Sequence, residues 1–506
     1  MVLPITNPTK SFWIEAAESP LKEHRTTPDL PTEADVVIIG SGYTGASAAY
    51  WLNKFAGDKR PNIVLLEARD LCGGATGRNG GQLRPHLFSR YTPWSERFGP
   101  KVAMDLIEHE NAHLDAFKRL LEGEGIAKKV CFKLGETFDA AMTDEAEERL
   151  RENLERMTRD HGPDHPIVKS CRYIKGRKEA EEFSQMKGAQ AVFVHPTGQV
   201  WPYKFVHALL EIVDKQGNLN IQTHTPVTAV SAADSNGDIT VTTGRGEIKT
   251  KAVFHATNRW AGHLLDQFDK LIVPGRATIA AIKAPEGFIK HTGAQHWDSV
   301  VNNYHLQLPP PYNHIVVGGA KPLTVHNPSS YIGSDLEDQQ FDGVPEFYAA
   351  WPALDIVDWQ GGNPAEFGRK RDEGGVWSGV YGNSIDGFPF VGPVPDQPGH
   401  FLAAAFTGHG MPRILLSTAD LVPRVLDHLK IPHTTPSILE GVPALPEPYV
   451  LTQARLDGLK DFDVAAYLQA DIDAGLASST KAFVKPRPEK LGLAEKLETL
   501  AISATA

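Results

Sequence analysis

Asp35 to Phe55 reads DVVIIGSGYTGASAAYWLNKF. Val36 to Ile39 make a short, β-branched apolar run of the kind that forms a buried parallel strand, and from Thr44 onward alanines and large apolar groups fit a helix. Gly40, Gly42 and Gly45 therefore fall at a strand-to-helix turn, with Tyr43 and Thr44 opening the helix. Glycine there permits a tight turn and lets the backbone approach a pyrophosphate, whose charge meets the unpaired amides of the helix start. The spacing alone would also suit plain helix packing. A second strand pattern, NIVLLEA from Asn62 to Ala68, places Glu67 at its carboxyl end, 22 residues after Gly45. A carboxylate at that point can receive both ribose hydroxyls of an adenosine, and it disfavours a ribose 2′-phosphate because two negative groups would meet.

The dinucleotide reading alone allows NAD or FAD. The next segment, GGATGRNGGQ from Gly73 to Gln82, puts five glycines into ten positions. It reads as an extended loop whose amides lie against a ligand while Arg78 faces its phosphates. A nicotinamide enzyme has no evident need for this second glycine-rich wrap, although glycine clusters also mark ordinary turns.

With 506 residues the chain is long enough for two or more lobes around a large cofactor. Its 62 acidic against 51 basic side chains, a net charge of −11, argue against a polyanion-binding surface, so nucleic acid is not an expected partner. Cys72, Cys131 and Cys171 are too few and too scattered for a disulfide framework, and no CxxC pair points to zinc; no metal is expected. No secretory pattern opens the chain, and no uncharged apolar stretch reaches the roughly 18 residues of a membrane span. A soluble, cytoplasmic protein is expected, with organelle import left open.

GSGYTG, the Glu67 strand end and ATGRNGGQ together resemble the D-amino-acid-oxidase-like flavoproteins, in particular their glycine oxidase, sarcosine oxidase and γ-glutamylputrescine oxidase branches. The likeness continues through FHATNRW (Phe254 to Trp260) and GVYGNSIDGFPFVGP (Gly379 to Pro393), and closes at TGHGMPRI (Thr407 to Ile414). It spans roughly residues 33 to 430, with the motifs in family order. The resemblance implies an α/β protein with a two-domain FAD-binding Rossmann-like fold, a mixed-sheet substrate domain and, here, a C-terminal extension. The expected division is an arm at 1–32, FAD-binding segments at 33–101, 190–262 and 371–430, substrate segments at 102–189 and 263–370, and the extension at 431–506. Stretches 102–126 and 142–159 look helical, and 274–283, 300–307 and 314–319 favour strands.

On the same resemblance FAD is contacted by Gly40, Gly42, Tyr43, Thr44 and Gly45, by Glu67, Ala68 and Arg69, and by Gly74, Ala75, Thr76, Arg78, Asn79, Gly80, Gly81 and Gln82, with Val227 added. The turn at Gly408, His409, Gly410 and Met411 follows the apolar run Phe401 to Phe406 and precedes a helical pattern reaching about Leu421. Its helix start suits the negative charge that develops on a reduced flavin ring. The implied reaction is hydride transfer to flavin N5 from the carbon beside an unprotonated amine, giving an imine that water hydrolyses. That chemistry needs no obligatory proton-abstracting side chain, so His195, His255 and His409 are not nominated as a base. His195 is read as scaffold, with a strand ending before Pro196 and a helix after Pro202. Arg84, His86, Tyr381 and His409 are the pocket candidates, Arg84 as a steering group for a substrate carboxylate.

Where sarcosine oxidases carry a flavin-linking cysteine this chain has Gly379, and where dimethylglycine dehydrogenases carry a linking histidine it has Arg78; both imply non-covalent FAD. The expected substrate is a small amine, N-alkyl amino acid or amino acid, with molecular oxygen as acceptor. The alternatives are an FAD-dependent dehydrogenase using another acceptor, a flavin-binding protein without turnover, and a nicotinamide dehydrogenase, which leaves ATGRNGGQ and TGHGMPRI without a task. IPHTTPSILEGVPALPEPY (Ile431 to Tyr449) reads as an arm or linker, followed by one or two short helices in Leu451 to Leu476 that pack back over the FAD domain.

Overall fold

The computed structural model describes residues 3–360 and 374–481. The expected segment boundary at residue 370 and the chain from residue 482 onward lie outside the described residues. The fold is α/β, with helices around two large sheets.

In the first sheet the order is Phe390–Pro393, His400–Ala404, Gly246–His255, Glu33–Ile39, Ile63–Leu66 and Leu219–Gln222. Four of the five pairings in this order are parallel, all but that of Phe390–Pro393 with His400–Ala404. Parallel strands buried on both faces read as unbroken apolar runs, which is why VVII and IVLL carried the pattern. Side chains alternate between the two faces. Val36, Ile38, Ile63 and Leu65 pack on the helix side, with the helices Tyr43–Ala56, Pro202–Asp214 and Ile414–His428. Val37, Ile39, Val64 and Leu66 face the hairpin formed by Val227–Val230 and Ile239–Thr243. The last of those three helices continues well past Leu421, because Val422, Val425 and Leu426 extend its buried stripe and Pro423 does not end it.

In the second sheet the order is Gly374–Ser384, Ile272–Ile282, Ile315–Gly318, Asn302–Gln307, Thr292–His296, Lys133–Ala141, Ala191–Gln199 and Gln82–Leu83. Only Thr292–His296 with Lys133–Ala141 pairs in parallel, so the sheet is mixed, as expected. Three strands differ from the expected division. Gln82–Leu83, Ala191–Gln199 and Gly374–Ser384 all bond into this sheet, because their ladders run to one another and to Lys133–Ala141 and Ile272–Ile282. Ala191–Gln199 also runs straight through Pro196 instead of stopping before it. Pro196 falls in the gap between the short strands Arg172–Lys175 and Gln82–Leu83, where a missing N–H is tolerated.

The extension packs back on the first sheet only in part. Thr434 N donates to Phe55 O at 3.0 Å, Leu451 N to Val391 O at 2.9 Å, and Arg455 forks onto Asp386 at 2.9 and 3.0 Å. The following helix, Val464–Ser479, crosses to the second sheet's side, where the Ser478 hydroxyl donates to the buried Asp298 at 2.8 Å. Among the described residues no helix is long and apolar enough to cross a membrane.

The first strand-to-helix turn is the tightest point of the fold. A Cβ on Gly45 would lie 1.9 Å from the carbonyl oxygen of Gly40, which itself has φ of +103°. Gly45→Ala is therefore expected to lower the stability of the purified protein by roughly 1–3 kcal/mol and to weaken cofactor retention. Denaturant unfolding together with bound-flavin absorbance checks this, and an unchanged midpoint would remove the close-packing assignment.

Candidate functional site

A single cavity of about 530 Å³ runs from the carboxyl ends of the first sheet's strands to the second sheet. At the first end Gly40, Gly42, Tyr43 and Thr44 form its wall, so the helix Tyr43–Ala56 starts on it, with Gly42 as a cap residue that has no side chain and only the Tyr43 N–H taken by another side chain. An uncapped helix start offers N–H groups and a positive dipole end to an anion. Glu67 lines the same end. Its Oε2 accepts from Ser41 N at 3.1 Å and Ser41 Oγ at 2.6 Å, and its Oε1 from Arg69 N at 2.9 Å. The carboxylate is thereby aimed while lone pairs remain for a ribose. Ala68, Arg69 and Val227 join it.

The glycine-rich loop follows a different path from the expected extended one. Ala75–Arg78 is a short 3₁₀ turn, and Thr76 Oγ1 accepts from Tyr43 N at 3.0 Å, tying loop to helix. Gly74, Ala75, Thr76, Arg78 and Asn79 line the cavity. The Arg78 guanidinium, however, is locked against protein carbonyls, with Nε donating to Gly73 O at 2.9 Å and Nη1 to Thr9 O at 2.7 Å and Ser378 O at 3.0 Å. Its first task is to clamp the loop between the amino-terminal arm and the second sheet, which differs from the expected phosphate-facing role. Arg69 is paired as well, to the buried Glu337 at 2.8 Å.

Gly45, Gly80, Gly81 and Gln82 are not among the lining residues. Gly80 lies against the Tyr304 ring, where a Cβ would come within 2.4 Å, and Gly81 needs its φ of +74°. The Gln82 amide donates to His305 O at 2.7 Å, a sheet contact. These four shape the wall from behind.

In the middle of the cavity, Gly408, His409, Gly410 and Met411 are brought beside His86 and Tyr381. The His86 and His409 rings stack at 3.9 Å. Beneath them lies the fully buried Glu110, which accepts from His86 N at 2.7 Å, pairs with His409 Nε2 at 3.0 Å and takes the Arg413 guanidinium at 2.8 Å. Burial pushes both imidazoles below their ordinary range, more strongly at His86. Burial acts to raise Glu110, but Arg413 and His409 outweigh it and hold the carboxyl well below its usual value. Sequence reasoning missed Glu110; its one signal was an acid among the mostly apolar buried positions of the helix Pro100–Gly123, which also hold His109 and His113.

The far end is walled by strands of the second sheet, with Arg276, Thr278, Tyr304, Tyr381 and Asn383, and by Lys321, Tyr331 and Phe341. Arg84 is absent from it. That guanidinium pairs with Asp139 at 2.7 Å inside the second sheet, where Asp139 also meets His195 at 3.3 Å and His296 at 2.6 Å. Arg84 is thus a structural cation, and His195 is held as scaffold. His255 also stays outside, bonded to His400 at 3.1 Å. Arg276 stacks on Phe341 and donates to Ser330 O at 2.8 Å. Lys321 differs. Its ammonium lies over the Tyr331 ring, 3.3 Å from the centroid, and among the described residues no acceptor pairs with it. Burial pushes it down to about 7, with Asp471 acting against that fall. Sequence reasoning missed Lys321 too, since KPLT carries no motif.

The uncapped helix start, the aimed Glu67 and the space in front of the Gly408–Met411 turn together fit a dinucleotide cofactor with its ring toward the second sheet. Comparison with known proteins agrees. The family DAO, FAD dependent oxidoreductase, matches residues 35–417. Probable oxidoreductase OrdL of Rhizobium meliloti is 25% identical over 411 residues, 79% of this chain and 84% of its own. L-amino acid deaminase from Proteus vulgaris superposes with a TM-score of 0.59 at 18% identity, covering 86% of this chain and 97% of that one. Glycine oxidase from Geobacillus kaustophilus does so with a TM-score of 0.59 at 19% identity, covering 83% and 99%. These two structures are alike in fold.

Glu110 also links the site to stability. Its folded pKa lies below the unfolded one, near 4.3 for glutamate, so its contribution is complete above that range and fades as pH falls toward the folded value. Glu110→Gln leaves Arg413 buried without its counter-charge and is expected to cost roughly 3–5 kcal/mol at pH 7. The variant should also lose stability less steeply than the native protein between about pH 5 and 3. Urea midpoints across that window check both, and equal slopes would remove Glu110 from the titration.

Proposed function

The chain belongs to the DAO family of FAD-dependent oxidoreductases, acting on amino acids or amines, and from that premise we propose that its substrate is an amino acid or N-alkyl amino acid whose carboxylate is held by Lys321, with molecular oxygen as acceptor. One observation carries this reading: the cavity that begins at Glu67 ends at an ammonium group with no acceptor of its own among the described residues. A cation left without a partner in a low-dielectric wall favours an anionic ligand strongly. Amines without a carboxylate would leave that cation unmatched.

FAD, bound non-covalently, supplies the acceptor for the hydride leaving the carbon beside nitrogen. The start of the helix Tyr43–Ala56 would hold its pyrophosphate and Glu67 its ribose, and the Gly408–Met411 turn would border its ring. No cysteine lines the cavity among the described residues, which supports non-covalent binding. Lys321 fixes the carboxylate, and Tyr304, Tyr331 and Tyr381, each pushed up by burial, stay neutral and offer hydroxyl donors. The substrate is thereby oriented with its amine-bearing carbon toward the ring. Water then hydrolyses the imine product, and oxygen leaves with the two electrons as hydrogen peroxide. The names of the similar glycine oxidase and L-amino acid deaminase support the substrate class.

Anaerobic reduction of the yellow protein tests the reading across free amino acids, N-methyl amino acids and matched amines lacking the carboxylate. Bleaching by carboxylated substrates, followed by rapid return of colour and peroxide in air, is the expected result. Bleaching without efficient reoxidation would replace the oxidase by a dehydrogenase, and no bleaching by any of them would sink the amine chemistry. Lys321→Met is expected to weaken the apparent affinity for carboxylated substrates by roughly 10–100-fold, the loss of one charge-assisted hydrogen bond. Rapid-mixing titration of flavin reduction measures it.

A further inference from the structure

The family match ends at residue 417, so the carboxyl-terminal helix Val464–Ser479 has no role assigned by it. This helix is fixed against the substrate end of the cavity. Ser478 and Lys481 both bind Asp298, at 2.8 and 3.1 Å. Gly475 sits so close to the wall that a Cβ would come within 2.7 Å of the Pro328 ring and 3.3 Å of the Tyr331 hydroxyl. One turn earlier on the same helix stands Asp471, four residues after Tyr467 and therefore on the same face.

The electrostatic reach of Asp471 is directed inward although its side chain is exposed at the rim. Its charge acts on Lys321, Tyr331 and Tyr381, all of which line the cavity. The groups facing one another here come from separate stretches of the chain. Lys321 is faced by the Tyr331 ring and Asp471. Asp471 is faced by Lys321 and Tyr467, and Tyr381 by Asp471, Asn383, Tyr304 and Tyr331. Tyr467 is faced by Asp471, Tyr381 and Asp386. Among the described residues, Asp471 is the group whose charge resists the effect of burial on Lys321.

We propose that the carboxyl-terminal helix forms the outer wall of the substrate end and that Asp471 keeps Lys321 charged, so that the extension sets the pH up to which the cavity accepts a carboxylate. This rests on the reading of Lys321 as the carboxylate anchor. An opposite charge nearby raises the pKa of a lysine; removing Asp471 lets burial act alone, and Lys321 loses its proton at lower pH. Carboxylate binding, which needs the cation, would then fail at lower pH as well.

The test uses the full-length, FAD-loaded protein. Competitive acetylation with trace acetic anhydride from pH 6 to 10, read by mass spectrometry at the Lys321 peptide, gives that lysine's titration midpoint without turnover. In parallel, benzoate binding is followed by the perturbation of flavin absorbance, with benzamide as the uncharged counterpart. In Asp471→Asn the Lys321 midpoint is expected to fall by roughly half a unit or more. The pH at which benzoate binding is half lost should fall with it, benzamide binding should not move, and Asp471→Glu should restore both midpoints. An unchanged Lys321 midpoint in Asp471→Asn overturns the role of the helix. If Lys321→Met binds benzoate as the native protein does, the anchor itself fails, whatever Asp471 does.

Discussion

The distance between one helix and one strand end governs the rest of the site. At Gly45 the helix Tyr43–Ala56 comes so close to the Gly40 carbonyl that no side chain fits between them. That approach puts the uncapped helix start directly at the end of strand Glu33–Ile39, in line with Glu67 at the end of the neighbouring strand. Two features suited to neighbouring parts of a dinucleotide, its pyrophosphate and its ribose, are thus held at a fixed separation by backbone geometry. The helices Pro202–Asp214 and Ile414–His428 both pack against the helix Tyr43–Ala56. Gly40 shows the constraint from the other side, since a Cβ there would meet Ala256 O at 2.7 Å, the end of the adjacent strand.

The second constraint is electrostatic. Folding the glycine-rich loop under the second sheet buries Arg69 and Arg78, and neither is left bare. Arg69 has Glu337, and Arg78 has carbonyls from the loop itself, from Thr9 and from Ser378. The same arm adds Ser11 to Gly77 O at 2.6 Å and Trp13 to Asn79 O at 2.5 Å. Chain segments separated by about three hundred positions are therefore joined across the cofactor end through buried polar contacts, each of which would be expensive to break with one partner still buried. The loop is tied at several points for that reason, despite its glycine content.

What could be read in advance follows from which contacts are local. The parallel strands and the glycine turn leave their marks within about ten consecutive residues, as β-branched runs and as positions that admit no Cβ, so fold class and nucleotide end were legible. The family resemblance supplied the cofactor and the Gly408–Met411 turn. Glu110 and Arg413 were not legible, because their pairing spans 303 positions and neither neighbourhood announces it. Arg84 was placed in the pocket because it follows the loop in sequence; one more strand residue turned it toward Asp139 instead. Strand Ala191–Gln199 defied the reading of Pro196 because tolerance of proline depends on which neighbours flank a strand, which only the sheet order decides.

The two ends of the cavity treat charge in opposite ways, and on the proposed reading the difference suits a cofactor that stays and a substrate that turns over. Around the cofactor end the buried acids and bases are paired within the protein, so the site is stable whether or not a phosphate is near. At the substrate end Lys321 has an aromatic ring and a distant carboxylate at the rim. A site that must bind an anion and release its product in every cycle needs a charge the protein has not already neutralised. The energetic consequence is a lysine held near the point of losing its proton, because burial penalises the ammonium and no close partner among the described residues offsets it. A rim carboxylate can then hold the charge in place without occupying the position where the substrate's own carboxylate must lie.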